Sequence, residues 1–334
     1  MDCAKYAFYK RVRIPTVTLS ERNGEPKGSP YNIDMYDIIV IGAGPAGLTA
    51  AIYARRAEKS VLVIEKSSFG GQMTHSPKIE NYPAFTQISG LELSDKMVEQ
   101  ALELGADIEM DEVVSVQDIE GYKHVVCKDA EYDARALIIA VGVKHRQLGL
   151  PRENELCGNG VSYCAVCDGA FYKGKTVGVV GGGNSALQEA ILLAEVAKKV
   201  YVIQNLDILT GEVKLQHKLA ELENVEIITS ANVEKLVGDP ELTSVVIKSM
   251  GVEKEIPLDG LFVAIGLLPK NEIFASLATL NDGGYFDTDE SCKTITEGVF
   301  VAGDCRQKSI RQITTATADG ATAALAACRY LENL

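Results

Sequence analysis

Two cysteines three apart, Cys164-Ala-Val-Cys167, are followed directly by Asp168. Three kinds of chemistry fit that spacing. A zinc half-site needs a second Cys/His pair at ligand spacing. The sequence has no other C-x-x-C, and its histidines at 75, 124, 145 and 217 are isolated, so no metal site is expected. Two inert thiols need no special neighbour. A redox-active disulfide can close within one turn, and C-x-x-C spacing favours a reactive thiolate. A carboxyl beside the second sulfur can move protons to and from a departing thiolate. Only this third reading gives Asp168 a task.

A second cluster is Gly42-Ala-Gly44-Pro45-Ala46-Gly47, which fits G-x-G-x-x-G. Its context gives it weight. It ends the apolar run DIIVIGAG, opens the helical stretch PAGLTAAIYARRAE, and is followed by SVLVIEK. Glu65 ends that run 23 residues past Gly42, near the usual spacing of about 20 for a dinucleotide turn. Such glycines let the backbone approach a pyrophosphate, the helix N-terminus favours its charge, and the acid accepts from ribose hydroxyls.

These groups need elements to hold them. A similar strand–turn–helix–strand unit recurs at KTVGVVGGGNSALQEAILLAEVAKKVYVIQ. Alternating strands and helices predict an α/β fold with parallel, doubly wound sheets, and two such units predict two dinucleotide-type domains. The last segment, GVFVAGDCRQKSIRQITTATADGATAALAACRYL, reads as strand, loop and small-residue helix. A helix of Gly and Ala permits close approach to a neighbour or ligand.

The chain has 334 residues, 46% of them apolar, enough for about two domains. A net charge of −13 disfavours nucleic acid and anionic membrane surfaces as partners. No apolar run reaches spanning length, and residues 1–34 have no apolar h-region of a signal peptide. A cytoplasmic setting is expected, with most of the eight cysteines as free thiols. Residues 1–34 carry basic residues and the polar stretch SERNGEPKGSPYN, and read as a flexible extension ahead of Met35. That extension reads either as a mis-assigned start or disordered arm, or as a basic docking arm.

The motifs GAGPAG, IEKSSFGGQ, CAVCDG, GGGNSA, VAIGLLPKN, VFVAGD and RQITTATADG run in order over residues 36–334. Together they resemble the low-molecular-weight thioredoxin reductase family. The resemblance implies two Rossmann-like three-layer domains, the second inserted in the first. An FAD-binding domain would span 35–149 and 268–334, and an NAD(P)H-binding-like domain carrying the redox pair 150–267. It implies FAD beside Gly42, Gly44, Pro45, Ala46, Glu65, Lys66, Gly71, Gln72 and Asn81. Asp304 would hold the ribityl chain, with Arg311, Gln312 and Ile313 beside the isoalloxazine. Cys167 would be the flavin-proximal sulfur, Cys164 the interchange thiol and Asp168 the general acid/base. Thioredoxin would be the acceptor and the enzyme a homodimer. NYPAF at 81–85 and AVG at 140–142 depart mildly from the family's N-Y-P-G and A-T-G.

A larger departure concerns the electron donor. Counting 23 residues from Gly181 gives Gln204 in the stretch YVIQNLDILTGE. NADPH-dependent members carry H-R-R-x-x-x-R here, because guanidinium forks match phosphate oxygens. That pattern falls on Gln204, Asn205, Leu206 and Thr210, so the basic positions are gone, and Asp207 would repel a phosphate. Each lost charged contact costs about 1.5–3 kcal/mol, so NADPH binding is expected to be weak. The pattern resembles the ferredoxin-dependent flavin thioredoxin reductases. A ferredoxin near −400 mV lies about 130 mV below thioredoxin near −270 mV, roughly 6 kcal/mol downhill for two electrons. An acidic ferredoxin needs a basic face, for which Lys144-His145-Arg146 and the stretch Lys10–Arg13 are candidates. The alternatives are NADH held through Gln204 and Asn205, weak NADPH use, and a non-catalytic redox-sensing flavoprotein.

Overall fold

The computed structural model describes residues 35–334 apart from residue 77. The extension 1–34, with its basic stretch at 10–13, lies outside the described residues. The run YDIIVI forms strand β1 (Tyr36–Ile41). It is apolar at successive positions because both faces are covered. Ile38 and Val40 enter one core cluster, Ile39 and Ile41 another. Helix α1 (Pro45–Arg56) has Pro45 in its first turn, where a fixed φ suits the helix and the missing N–H costs nothing. β2 (Val61–Glu65) pairs parallel with β1. Helix α2 (Gly90–Glu103) is capped by Ser89, whose hydroxyl accepts from the Glu92 N–H. β3 (Asp107–Met110), β4 (Val113–Ile119), β5 (Tyr122–Cys127) and β6 (Glu131–Ile139) complete the order β3-β2-β1-β6-β5-β4.

The chain then leaves this sheet through β7 (Lys144–His145) and the short helix α3 (Glu153–Leu156). β8 (Val161–Ser162) and helix α4 (Ala165–Asp168) follow, then β9 (Thr176–Val180), helix α5 (Asn184–Ala194) and β10 (Lys199–Ile203). Helix α6 (Val213–Ala220) precedes β11 (Val225–Ile228). β12 (Ala231–Gly238), β13 (Leu242–Ser249) and β14 (Val252–Pro257) form a separate antiparallel sheet. β15 (Gly260–Val263) returns to give a five-stranded sheet, β11-β10-β9-β15-β8. One face of that sheet packs Val180 and Val263 against Leu236, Val245 and Ile256 of the antiparallel sheet. The other packs Val177, Val179 and Val202 against Leu187 and Ala190 of α5.

β16 (Leu267–Leu268) pairs antiparallel with β7, so the outgoing and returning segments run side by side. β17 (Val299–Val301) then pairs parallel with β6, adding a seventh strand to the first sheet. The second Rossmann-like unit is therefore inserted in the first.

The chain ends in helix α7 (Ile313–Glu332). It packs on α1 so closely that a Cβ on Gly320 would lie 2.1 Å from the Ala46 carbonyl oxygen. That contact is backbone, so a side chain cannot simply rotate away. Gly320→Ala is expected to destabilise the protein by about 1–3 kcal/mol, the usual cost of overpacking. A thermal unfolding comparison with the wild type checks this, and an unchanged midpoint contradicts it.

Candidate active site

One cavity of about 860 Å³ is lined by residues from both units. Every residue expected to touch a cofactor or to carry the redox chemistry lines it. From the first turn these are Gly42, Gly44, Pro45 and Ala46, and from the end of β2 Glu65 and Lys66. Gly71, Gln72 and Asn81 come from the segment after β2. Asp304, Arg311, Gln312 and Ile313 come from the approach to α7. Cys164, Cys167 and Asp168 face the same space from the inserted unit.

The glycines of the first turn divide by task. Gly42 has φ +104, and a Cβ there would lie 2.4 Å from the Ala140 carbonyl oxygen. At Gly47 it would lie 1.8 Å from the Gly42 oxygen. Both are glycines for the fold's own sake. A Cβ at Gly44 would meet nothing within 4 Å. Gly44 thus borders open space where a ligand's backbone contact would lie. Glu65 accepts from the Ala43 N–H at 2.8 Å and the Ser67 N–H at 2.9 Å. With the Ser67 hydroxyl also donating to Oε1, these bonds fix its carboxylate at the turn and leave Oε2 able to take a further hydroxyl donor.

Opposite the turn, Asp304 has a buried Oδ1 with no hydrogen-bond partner. Burial pushes its carboxyl up to about 6, against the pull of Lys308 and Arg311. A buried, partnerless carboxyl oxygen in a cavity calls for a donor from a ligand. Arg311 donates through Nε to the Asp304 carbonyl oxygen at 3.3 Å and lies 4.4 Å from the Tyr285 ring centre. The Asn81 side-chain amide donates to the Gln312 Oε1 at 3.2 Å, joining segments 231 residues apart. The open turn, the anchored acid and the partnerless Asp304 fit a dinucleotide of FAD's size and polarity.

Cys164 and Cys167 form a disulfide, with Cα atoms 5.3 Å apart. Cys164 caps α4 and its Sγ accepts from the Cys167 N–H at 3.2 Å. Ser162, not anticipated from sequence, ties this turn together. Its hydroxyl donates to Asp168 Oδ2 at 2.6 Å and accepts from the Cys164 N–H at 3.1 Å. Burial raises the Asp168 carboxyl pKa, only partly offset by the Ser162 bond. Raising it favours the protonated acid, the form that can give a proton to a leaving thiolate. Glu189 on α5 lines the same cavity and was likewise missed, being one carboxylate of an ordinary amphipathic helix.

The second glycine turn differs from the first. Gly181, at φ +127, would place a Cβ 2.5 Å from the Ala264 carbonyl oxygen. Gly183 corresponds to Gly44 and has only Thr210 Oγ1 near, at 3.9 Å. Gln204 is buried, and its Nε2 donates to the Ile208 carbonyl oxygen at 3.2 Å. A Cβ on Gly182 would lie 2.6 Å from the Gln204 amide, so that glycine answers to Gln204. Leu206 and Ile208 are 47% and 63% exposed, apolar where a phosphate clamp would be charged.

Burial drives the His145 pKa down to about 4, so of the 144–146 candidates for a docking face only Lys144 and Arg146 bring charge near pH 7. Ala84, where the family pattern has glycine, sits at φ +81, a conformation costing an L-residue about 1–2 kcal/mol.

The family model for pyridine nucleotide-disulphide oxidoreductases matches residues 36–320. The chain is 45% identical over 306 residues to the thioredoxin reductase of Bacillus subtilis (strain 168), covering 90% of this chain and 96% of that one. It is 42% identical over 298 residues to a 34.2 kDa protein in the rubredoxin operon of Clostridium pasteurianum, covering 88% and 97%. The crystal structure of thioredoxin reductase from Streptococcus pyogenes MGAS5005 superposes with a TM-score of 0.87 at 40% identity, over 90% of this chain and 100% of that one. Among the described residues, no helix is long and apolar enough to cross a membrane.

The Ser162 bond gives a test of signed direction. Ser162→Ala removes the one interaction that holds the Asp168 pKa down. The carboxyl then keeps its proton to higher pH. The pH–rate profile of disulfide reduction is expected to move its carboxyl limb upward, and a shift downward contradicts this assignment. With its disulfide, its paired glycine turns and its cavity shared between two Rossmann-like units, this oxidoreductase belongs to the pyridine nucleotide-disulphide oxidoreductase family, within the low-molecular-weight thioredoxin reductases.

Proposed function

We propose that the protein reduces the disulfide of thioredoxin, using FAD and the Cys164–Cys167 pair, and takes its electrons from a ferredoxin rather than from NADPH. Residues 35–149 and 268–334 hold FAD, residues 150–267 carry the pair, and two copies of the chain form the working enzyme. The single observation that carries the donor assignment is the lack of any cation at 204, 205, 206 and 210. A 2′-phosphate there meets the buried Gln204 and exposed Leu206 instead.

FAD, when bound, supplies the ability to collect single electrons and pass on a pair. The residues do the rest. Gly44 would admit the pyrophosphate, Glu65 would accept from the ribose hydroxyls, and the partnerless oxygen of Asp304 would accept from a ribityl hydroxyl. Lys66, Gly71, Gln72 and Asn81 wall the cofactor, and Arg311, Gln312 and Ile313 lie beside its ring system. Once the pair is reduced, the Cys164 thiolate attacks one sulfur of thioredoxin's disulfide and a thiolate leaves. Protonated Asp168 supplies that thiolate's proton. Cys167 then gives its proton to the now charged Asp168 and attacks the Cys164 sulfur, so the pair re-forms and the second thioredoxin sulfur leaves as a thiolate. The side-by-side β7 and β16 are suited to act as the hinge that turns Cys164 toward its acceptor.

A second reading is NADH as donor. Gly183 favours it, because its Cβ position is nearly open and no backbone contact demands glycine there. Its weak point is Gln204, which is buried and gives one of its two amide N–H groups to Ile208.

Anaerobic flavin bleaching separates the donors. Reduced ferredoxin is expected to bleach the flavin quickly, and NADPH and NADH slowly or not at all. Fast bleaching by micromolar NADPH overturns the donor assignment. Asp168→Asn separates an enzyme from a redox sensor. Turnover with thioredoxin is expected to fall by about 10²-fold or more, the usual worth of a positioned acid, while the disulfide can still form and break. A wild type that shows no turnover with thioredoxin, with switching of the disulfide kept in Asp168→Asn, favours the sensor, and an unchanged turnover in the variant overturns the role of Asp168.

A further inference from the structure

Two carboxyl oxygens near the redox pair are buried without a partner, Asp168 Oδ1 and Glu189 Oε2. The first belongs to the proposed acid. The second has no assigned task. Glu189 is on α5, which packs on the Cys164–Cys167 turn and contributes Ser185, Gln188, Glu189 and Leu192 to the cavity wall. Ala165, the residue after Cys164, is buried on the turn that α5 packs against, and its backbone pulls the Glu189 pKa down.

We propose that Glu189 is a positioning residue for the redox pair, whose change of charge tunes how readily Cys164 ionises once the disulfide is open. Opening the S–S bond takes two electrons. One proton arriving with them leaves a thiol and a thiolate, and two leave two thiols. Any thiolate formed lines the same cavity as Glu189 and Asp168, each of which has a buried carboxyl oxygen. A charged Glu189 then opposes the thiolate, and a neutral one does not. Burial pushes the Glu189 pKa up to about 7, against the pull of the Ala165 backbone and with a further push from Asp168. Its charge therefore changes in the range where the enzyme must switch thiol for thiolate. Of the elements packed against α5, α4 supplies Asp168, which acts on Glu189. Tyr172 lies on the turn after α4, Lys199 on β10, and Lys214, His217 and Lys218 on α6. None of these contributes to the Glu189 shift, and β9 carries no charged residue. The proposal rests on the redox role of the pair and not on the identity of the donor.

The test is alkylation of Cys164 in the reduced, flavin-loaded protein by iodoacetamide, followed by mass spectrometry across roughly pH 5.5 to 9. In the wild type, the rise of rate with pH should flatten as Glu189 ionises near 7. Glu189→Gln should match the wild type at about pH 6, where both side chains are neutral. Above about pH 8 it should react about three- to tenfold faster, the effect of removing one nearby like charge. Glu189→Asp should keep the break, and Asp168→Asn should move it to lower pH, since Asp168 is one of the groups that raises Glu189. A purely structural role predicts curves that differ by one factor at every pH, and that result overturns the proposal. So does a wild-type profile that follows a single thiol titration, which needs no variant to fold. Flavin bleaching by any donor is not part of the readout, so the donor assignment and this one fail separately.

Discussion

The rest of the site depends on a contact between two backbones. Gly320 of α7 lies against the carbonyl of Ala46, and a Cβ at Gly303 would lie 2.8 Å from the Ala46 Cβ. Small residues let α1 and α7 approach more closely than ordinary helices, which sit 8–10 Å apart. The consequence is positional. The glycine turn at the start of α1 and the Asp304 loop ahead of α7 face each other across one cavity. A buried ion cluster locks the arrangement. Asp319 of α7 binds Arg306 at 2.8 Å and Lys308 at 2.9 Å, and accepts from the Gly303 N–H at 3.0 Å. Arg306 is only 2% exposed and also donates to Thr288 Oγ1 and to the Asp289 carbonyl oxygen. Buried charges are costly unless each is paired and hydrogen-bonded. Here the pairing is nearly complete, and the cluster straps the Asp304 loop to α7.

Against that satisfied cluster, the cavity walls hold three of the four buried side-chain oxygens that lack a partner among the described residues, the fourth being Asn271 Oδ1. Asp304, Asp168 and Glu189 each keep one buried carboxyl oxygen without a partner. All three have pKa values raised by burial first. The contrast separates structural from chemical roles. Asp319 is held by two cations and a backbone N–H. The three cavity carboxyls are left able to take or give a proton, or to accept a bond from something that enters.

The parts legible in the sequence were those written in short segments. The glycine turns, the C-x-x-C and the α/β alternation are local patterns, each with its own backbone reason. The parts that were not legible depend on burial or on distant pairs. Ser162 is an unremarkable serine until the turn folds its hydroxyl onto Asp168. Glu189 looks like a solvated helix carboxylate until α5 packs against the redox turn. His145 sits between Lys144 and Arg146 in sequence, and only its burial shows that its pKa lies well below an ordinary histidine's. The Arg306–Asp319 pair spans 13 residues with no motif to announce it. Ala84 carries its positive φ because the loop geometry is imposed by its surroundings, which no local preference records.

The two glycine turns show where nucleotide choice is written. In both, the first glycine is required by a backbone contact, and in both the second borders space that a ligand could use. The turns alone therefore do not distinguish a working site from a silent one. The difference lies at the end of the following strand. Glu65 points its carboxylate at its own turn and keeps lone pairs for hydroxyls. Gln204 folds over Gly182 and donates one of its two amide N–H groups to Ile208, so it is a neutral, partly engaged amide where Glu65 is an anion. One strand-end residue decides whether an approach that glycine leaves open is also rewarded. At 65 the reward is a fixed anionic acceptor. At 204, 205, 206 and 210 the chain offers a phosphate no cation to offset the loss of its hydration, and the proposed donor rests on that imbalance.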